Sequence, residues 1–469
     1  MDVANYIHAA KIFIQLLGLV YFFVFSSFIL QIRGLIGKNG ILPAGIFLQQ
    51  IKFRFGSKAY YYLPSIFWIN SSNAFLVGVT IVGTIASLLL LFGVFPPLML
   101  ILLYVLHLSI VSVGQDFLSF GWEMFLLEIT MNAFFLSWTE VPNPLIWFSL
   151  NLLLFRFHFQ AGAVKLQSRD MTWSNFTALA FHYQTQPIPN TQAWFFHKLP
   201  LAFHKASTAF MFIAEMGFAF LIFGTEEMRL LTWFILVGLQ LMIWFSGNFS
   251  YLNHLTIVLC TILISDTYFN PFLGIPHPAL TPLWETIVLS TLGTLLVFIQ
   301  CIRLYHHFFW NSWFSTILSW FSPFHLANRY GIFAVMTTKR YEIIVEGSED
   351  GKVWKEYCFK YKPSEVDRRP RRISPFQPRL DWQIWFLPFS MFETQVWFKN
   401  FLIRLLQNTP EVLSLLRVNP FPDHPPKYVR ALVYDYIFSD FKTLRKDGSW
   451  WKRTYIYPYS PTLFLQNKE

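Results

Sequence analysis

Long apolar runs fill the first 302 residues, and they leave few folds open. A membrane-crossing helix needs about 20 mostly apolar residues. Nine segments approach or meet that length: 12–32, 74–92, 96–113, 117–138, 145–164, 206–223, 228–246, 249–265 and 283–302. Backbone polar groups inside a bilayer must be satisfied within the chain, so such runs become helices. The pattern predicts a multipass all-α membrane bundle of about nine spans. Pro96-Pro97 opens the third run, where a first-turn proline is tolerated. The connections 93–95 and 247–248 are short, which makes their flanking helices antiparallel neighbours. Loops 33–73 and 165–205 are long. No small-residue cleavage site follows the first run, which therefore reads as a retained span.

Charge divides the chain at residue 302. Residues 1–302 carry 12 Lys and Arg against 11 Asp and Glu, whereas 303–469 carry 24 against 15. The whole chain is only 13% charged, where soluble domains average about 25%. A disordered chain is excluded, and an ordinary soluble enzyme does not fit. Three domains are expected: a transmembrane helical domain over 1–302, an interfacial aromatic connector over 303–335, and a soluble β-rich C-terminal domain over 336–469. The connector's His306-His307, Trp310, Trp313 and Trp320 are the mix of a membrane-interface helix. In the tail, alternation over 340–346 and 353–361 around Gly347–Gly351 reads as a hairpin. So does alternation over 428–438 and 450–457 around Lys446-Asp447-Gly448. Between them 381–417 reads as a helical insert broken at Pro388 and Pro410. The Pro- and Arg-rich stretch 363–378, with Arg368, Arg369, Arg371 and Arg372, reads as a solvated surface segment, or else a lipid or partner contact. A basic tail beside a membrane favours membrane lipid as a partner over nucleic acid, because no nucleic-acid module is present. Cys260, Cys301 and Cys358 form no disulfide framework.

Ionisable groups inside apolar runs cost roughly 2.5–3.5 kcal/mol each on insertion scales and so mark candidate sites. Glu123 and Glu128 lie in the fourth run. Asn151, His158 and Lys165 recur every seven residues in and beyond the fifth, with Arg156 alongside. Ala161-Gly162 permits close helix approach there. Glu215 and His204 share a face of the sixth. Asn248, Asn253 and His254 flank the turn before the eighth. Two readings stand open: the groups satisfy one another and lock the bundle, or they line a polar cavity that handles a substrate. The stripe runs into a loop rich in amide, aromatic and histidine chemistry, with Arg169, Asp170, Trp173, His182, Tyr183, Gln186 and Asn190. With Glu123, Asn248 and Asn253 these are the candidate client- or substrate-binding residues. No Walker loop, G-x-S-x-G, H-E-x-x-H or C-x-x-C occurs, and neither a metal nor a cofactor is expected. Asn70, Asn175 and Asn248 match the short glycosylation sequon.

Several ordered motifs resemble the lipase maturation factor family along nearly the whole chain. They are Gly37-Lys38-Asn-Gly40-Ile-Leu-Pro43, Gln115-Asp116-Phe-Leu-Ser-Phe-Gly121-Trp122-Glu123, the 165–190 loop with its HYQTQPIPN segment, and Ser246-Gly247-Asn248-Phe-Ser-Tyr-Leu-Asn253. In the tail they are Arg340-Tyr341-Glu342, Phe359-Lys-Tyr-Lys-Pro363, Arg368-Arg369-Pro370, Pro378-Arg379-Leu-Asp381-Trp382 and Asn419-Pro420-Phe421. The resemblance implies a multipass protein of the endoplasmic reticulum membrane that helps secreted lipases reach an active folded state, with a lipase-like client protein as partner and no assigned catalysis. It implies a lumenal tail. Positive-inside counting instead puts both long loops and the tail in the cytoplasm. A bacterial source would place the protein in the plasma or inner membrane, and residues 466–469 carry no retention signal. The segment Ala161-Gly162-Ala-Val-Lys165-Leu is also similar to one in vitamin K-dependent carboxylases. That likeness implies an alternative in which Lys165 is a catalytic base beside His158. The sequence reading favours a non-enzymatic role.

Overall fold

The computed structural model describes residues 3–465. Among the described residues, six helices are long and apolar enough to cross a membrane: Val3–Ile29, Asn73–Leu91, Pro96–Val113, Leu201–Phe223, Glu226–Ser246 and Leu283–Phe308. The other three runs also become helical, but differently. We label the principal helices α1 (Ile7–Ile29), α2 (Asn73–Leu91), α3 (Pro96–Val113), α4 (Gly121–Leu136), α5 (Pro144–Gln167), α6 (Leu201–Phe212), α7 (Glu226–Ser246), α8 (Leu252–Cys260), α9 (Leu283–Phe308) and α10 (Ser312–Phe321). Helix α4 has 16 residues and α8 only 9. Helix α5 has 24 residues, but Asn151, Arg156, His158, Gln160 and Lys165 make it too polar. The count of about nine spans therefore reduces to six by length and composition. The physical reason is position: most of α4, α5 and α8 is buried against protein. Helices with protein neighbours need no unbroken apolar surface.

Local sequence sets the helix ends. Asn143 accepts from the backbone N–H of Leu145 and Ile146, and Pro144 follows as the first helical residue; both are N-terminal signals. Ser72 caps α2 and Asn311 caps α10 in the same way. Phe95 takes the left-handed conformation ahead of Pro96. Residues Ile213–Gly217 form a π-turn that continues α6. Helix α9 runs through residue 302 to Phe308, so the connector opens as helix; α10 follows.

Among its described residues the C-terminal part has six strands: β1 (Tyr341–Ser348), β2 (Lys355–Glu356), β3 (Cys358–Phe359), β4 (Leu416–Val418), β5 (Tyr428–Phe438) and β6 (Trp451–Pro458). An antiparallel sheet runs β2-β1-β5-β6, and β3 pairs with β4. The first hairpin is shorter than expected. Asp350 accepts from the N–H of Lys352 and Val353, and this turn delays re-pairing until Lys355. The expected strand over 353–361 then splits, its second half leaving to pair with β4. The second hairpin forms as expected and carries a helix, Phe441–Asp447, in its connection. The insert contains α11 (Arg379–Ile384) and α12 (Val396–Leu406), with Pro410 opening a last short turn. The two parts share one apolar core, which runs from α1–α5 into Phe359, Trp382, Trp397 and Phe401.

Candidate functional site

The buried polar groups of the bundle do not gather in one cavity. They form separate networks, and most join the helices to the tail. Glu123, in the first turn of α4, is fully buried. Its Oε1 lies 2.7 Å from Arg379 Nη1 at the start of α11. Its Oε2 accepts from Tyr251 Oη at 2.7 Å and lies 2.9 Å from His107 Nε2 on α3. Arg379 also donates to Phe117 O at 3.0 Å, and its guanidinium lies 4.3 Å from the Phe28 ring centre. Its backbone N–H donates to Gln31 Oε1. The neighbouring Gln377 accepts from Trp122 Nε1 and Ser250 Oγ. A carboxylate that would be costly alone in an apolar bundle is matched by a cation from the tail.

Glu128, one and a half turns on, anchors the connector. It pairs with Arg156 at 2.7 Å and accepts from Tyr330 Oη at 2.6 Å, and from the backbone and side chain of Asn328 at 2.9 and 2.8 Å. Arg156 donates on to Asn328 O and Gln300 Oε1. Gln300, Ser149 and Asn132 complete the relay back to α4.

The stripe on α5 divides its residues among different partners. Asn151 Oδ1 accepts from Arg229, which also donates to the carbonyls of Ile222 and Ile262. His158 Nδ1 lies 3.1 Å from Leu154 O and its Nε2 lies 3.5 Å from Gln240 Nε2; Gln240 in turn accepts from Asn253 Nδ2 at 2.8 Å. Lys165 Nζ donates to Glu215 Oε2 at 2.8 Å, to Oε1 at 3.1 Å and to Ala161 O at 3.0 Å. An ammonium has three donors, and all three are engaged within the protein. Glu215 therefore meets Lys165 rather than acting with His204. The π-turn carries it there, and Gly162 gives the space: a Cβ on Gly162 would lie 2.5 Å from Met216 Cγ.

The loop after α5 is the seam between membrane part and tail. Arg169 is exposed, in left-handed backbone. Asp170 caps the turn Met171–Ser174 and accepts from Met336 N–H at 2.6 Å. Trp173 is buried and donates to Phe333 O. His182 stacks on Phe249 and meets Phe333 edge-on; burial, and then the Lys165 charge, push its pKa down to about 4. Tyr183 is buried against Phe196 and His204. Gln186 donates to Ser246 O at 2.9 Å and Asn190 to Phe245 O at 3.0 Å. Asn248 donates to Ile188 O and Arg371 O and accepts from the N–H of Ile373 and Ser374. Being 1% exposed, Asn248 offers no glycan site in the folded chain. Arg340, fully buried beside Glu342, collects the carbonyls of Gln184, Gln186 and Pro187. The arginine segment meets this seam: Arg369 donates to Thr191 and Arg372 to Phe245 O, while Arg368 donates to Phe359 O within the tail.

So Glu123, Tyr183, Gln186, Asn190, Asn248 and Asn253 lie inside the protein, and of the two readings left open the hydrogen bonds favour mutual satisfaction: Lys165 pairs with Glu215, Glu123 with Arg379, and Asn248 with the backbone of 188 and 371–374. The sequence reading missed His107, Arg229 and Gln300. All three were polar residues inside apolar runs, the signal that had picked out Glu123. Among the described residues no group of three or more His, Cys, Asp or Glu could hold a metal. Cys260, Cys301 and Cys358 are free.

Comparison with known proteins agrees with this two-part layout. Residues 8–271 match the lipase maturation factor transmembrane domain and 326–461 match the lipase maturation factor C-terminal domain. Lipase maturation factor 1 of Mus musculus is 31% identical over 507 residues, covering 97% of this chain and 87% of that protein. Its counterpart in Bos taurus is 32% identical over 503 residues, covering 97% and 89%. Lipase maturation factor 2 of Xenopus laevis is 30% identical over 590 residues, covering 98% and 83%. No solved structure matches. The six apolar helices and the matched transmembrane domain make this an integral membrane protein. With both domains matched in order and relatives aligned along nearly all of its length, the chain belongs to the lipase maturation factor family.

Proposed function

We propose that this chain is a multipass maturation factor that assists the folding and assembly of secreted proteins such as lipases. The observation that carries the reading is the seam. Buried Arg379 and Arg340 fix the tail to the helices, so a client held by the tail is held at a fixed place above the membrane. The three inner helices α4, α5 and α8 complete a nine-helix bundle at membrane depth, with the tail facing the lumen of the endoplasmic reticulum, or the exterior in a bacterium. The residues sealed in the seam serve by positioning the tail. Client contact falls to exposed surface of the tail and to Arg169 at the head of the 165–190 loop. A catalytic base must present a free amine to its substrate, and Lys165 spends its donors on Glu215 and Ala161. Deleting the gene and measuring active against total secreted lipase tests the proposal. Loss of specific activity with antigen still made is expected, and normal lipase activity after deletion overturns it. A reporter fused to the C-terminus reads the side occupied by the tail.

A further inference from the structure

The long loop between α1 and α2 carries a surface that the described chain leaves uncovered. It leaves the bundle after Ile29 and returns at Asn73, and both of its arms are tied down where the spans meet the tail. Gly40 O accepts from Arg404 Nε of α12 at 3.1 Å. Pro64 O accepts from Ser112 Oγ at 3.0 Å, and Ser65 Oγ donates to Ser109 O at 3.1 Å, both in the last turns of α3. Just past that end of α3, Phe117 O receives Arg379 of the tail. Between the arms run the helix Ala44–Phe55 and the turns to Tyr62. This stretch therefore sits where the spans end, at the depth of the lipid headgroups.

Every residue from Lys52 to Lys58 is exposed. Phe53 is 94% exposed, and Phe55, Tyr60, Tyr61 and Tyr62 are exposed beside it. Clustered apolar exposure of this kind marks a surface that something else covers. Cations alternate with the rings. Lys52 Nζ lies 5.6 Å from the Tyr60 ring centre and the Arg54 guanidinium 5.2 Å from that of Phe55. Lys52, Arg54 and Lys58 have no acidic partner among the described residues, and residues 33–73 contain no Asp or Glu. The connector continues the same surface. Tyr61 Oη donates to Trp320 O at 2.7 Å, and its ring centre lies 5.9 Å from that of Phe324. Helix α10 packs Leu318 against Ile299 and Ile302 of α9. It leaves Trp313, 79% exposed, and Trp320 uncovered, seven residues apart on one helix face.

We propose that segment 52–62 and helix α10 form one platform that lies in the headgroup layer on the tail side of the bilayer and binds anionic phospholipid. Tyr and Trp rings, apolar in body and polar at one edge, settle at that depth. Lys and Arg placed among them attract the negative headgroups. Continuity names the occupant. The platform is rooted in the end of α3 on one side and in α9 on the other, so the lipid that surrounds those spans is what reaches it. A client polypeptide would first have to displace that lipid. The proposal goes beyond the maturation reading and stands without it.

The test uses the full-length protein in nanodiscs of phosphatidylcholine mixed with phosphatidylserine. Cys301→Ala removes the exposed thiol, Cys260 and Cys358 being buried. Ser57→Cys then carries an environment-sensitive fluorophore between Phe55 and Lys58. Nitroxides placed near the headgroup or deep in the acyl chain of either lipid quench it according to its depth. Shallow nitroxides quench most if the platform lies in the headgroup layer, and shallow-labelled phosphatidylserine quenches more than its phosphatidylcholine counterpart. Each cation near an anionic surface is worth about fivefold in binding. Lys52→Gln with Arg54→Gln and Lys58→Gln therefore abolishes the preference for phosphatidylserine, with circular dichroism checking that the triple variant is folded. Equal quenching by the two lipids before any cation is removed overturns the proposal. Quenching only by deep nitroxides makes the loop part of the span surface and overturns it too. Absence of quenching means that water or protein covers the segment, which also overturns it. None of these results touches the lipase measurement, so a failure here is separate from a failure of the maturation reading.

Discussion

Replacing Arg379 by methionine tests the seam most directly. The guanidinium is fully buried and meets a fully buried carboxylate at 2.7 Å, while also serving Phe117 O and the Phe28 ring. Methionine keeps most of the volume but leaves Glu123 with only Tyr251 and His107. Breaking a buried pair from one side costs about 3–5 kcal/mol, because the remaining charge stays in the apolar interior. Glu123→Leu alone should cost a similar amount for the converse reason. Replacing both by apolar residues of similar volume is close to neutral in comparable buried pairs. The double variant Arg379→Met with Glu123→Leu should therefore recover most of either single loss, a coupling of several kcal/mol in a double-mutant cycle. Thermal unfolding in detergent measures the cycle, and limited proteolysis reports release of the tail in each single variant. If the two losses simply add, or if Arg379→Met leaves stability and proteolysis unchanged, the pair does not hold the two parts together.

Lys165→Met should likewise destabilise by about 3–5 kcal/mol through the stranded Glu215, and adding Glu215→Leu should restore folding together with lipase maturation per folded molecule. A well-folded double variant without activity would return Lys165 to a chemical role. His182 supplies a pH dependence. Its folded pKa is about 4 against an unfolded value of about 6.5, so the unfolded chain takes up the proton first. Its contribution is present above about pH 6.5 and is lost as pH falls toward 4. His182→Asn should flatten that part of the curve of melting temperature against pH, and an unchanged profile refutes the assignment.

Features that depend on neighbours in sequence were legible, and features that depend on distant partners were not. The β5–β6 hairpin announced itself by alternation around Lys446-Asp447-Gly448, and the proline at the start of α3 by its position. Helix α4 was overread, because length and apolarity cannot tell a lipid neighbour from a protein neighbour; its 16 residues are wrapped by other helices. The polar residues of the bundle stand out in the sequence by their place inside apolar runs. Their partners were hidden because Glu123 answers to Arg379 and Glu128 to Tyr330, across boundaries that a reading by domain had drawn between them. Most of the bundle motifs that carried the family resemblance turn out to line that seam.

The hydrogen bond from Arg379 N–H to Gln31 spans 348 positions of sequence. During synthesis, helix α1 is made early and its Gln31 waits through nearly the whole of translation for this donor. Glu123 waits for the same residue. A chain stopped before residue 379 holds the Glu123 carboxylate with Tyr251 and His107 but without its guanidinium. The seam thus closes only once residue 379 has been made.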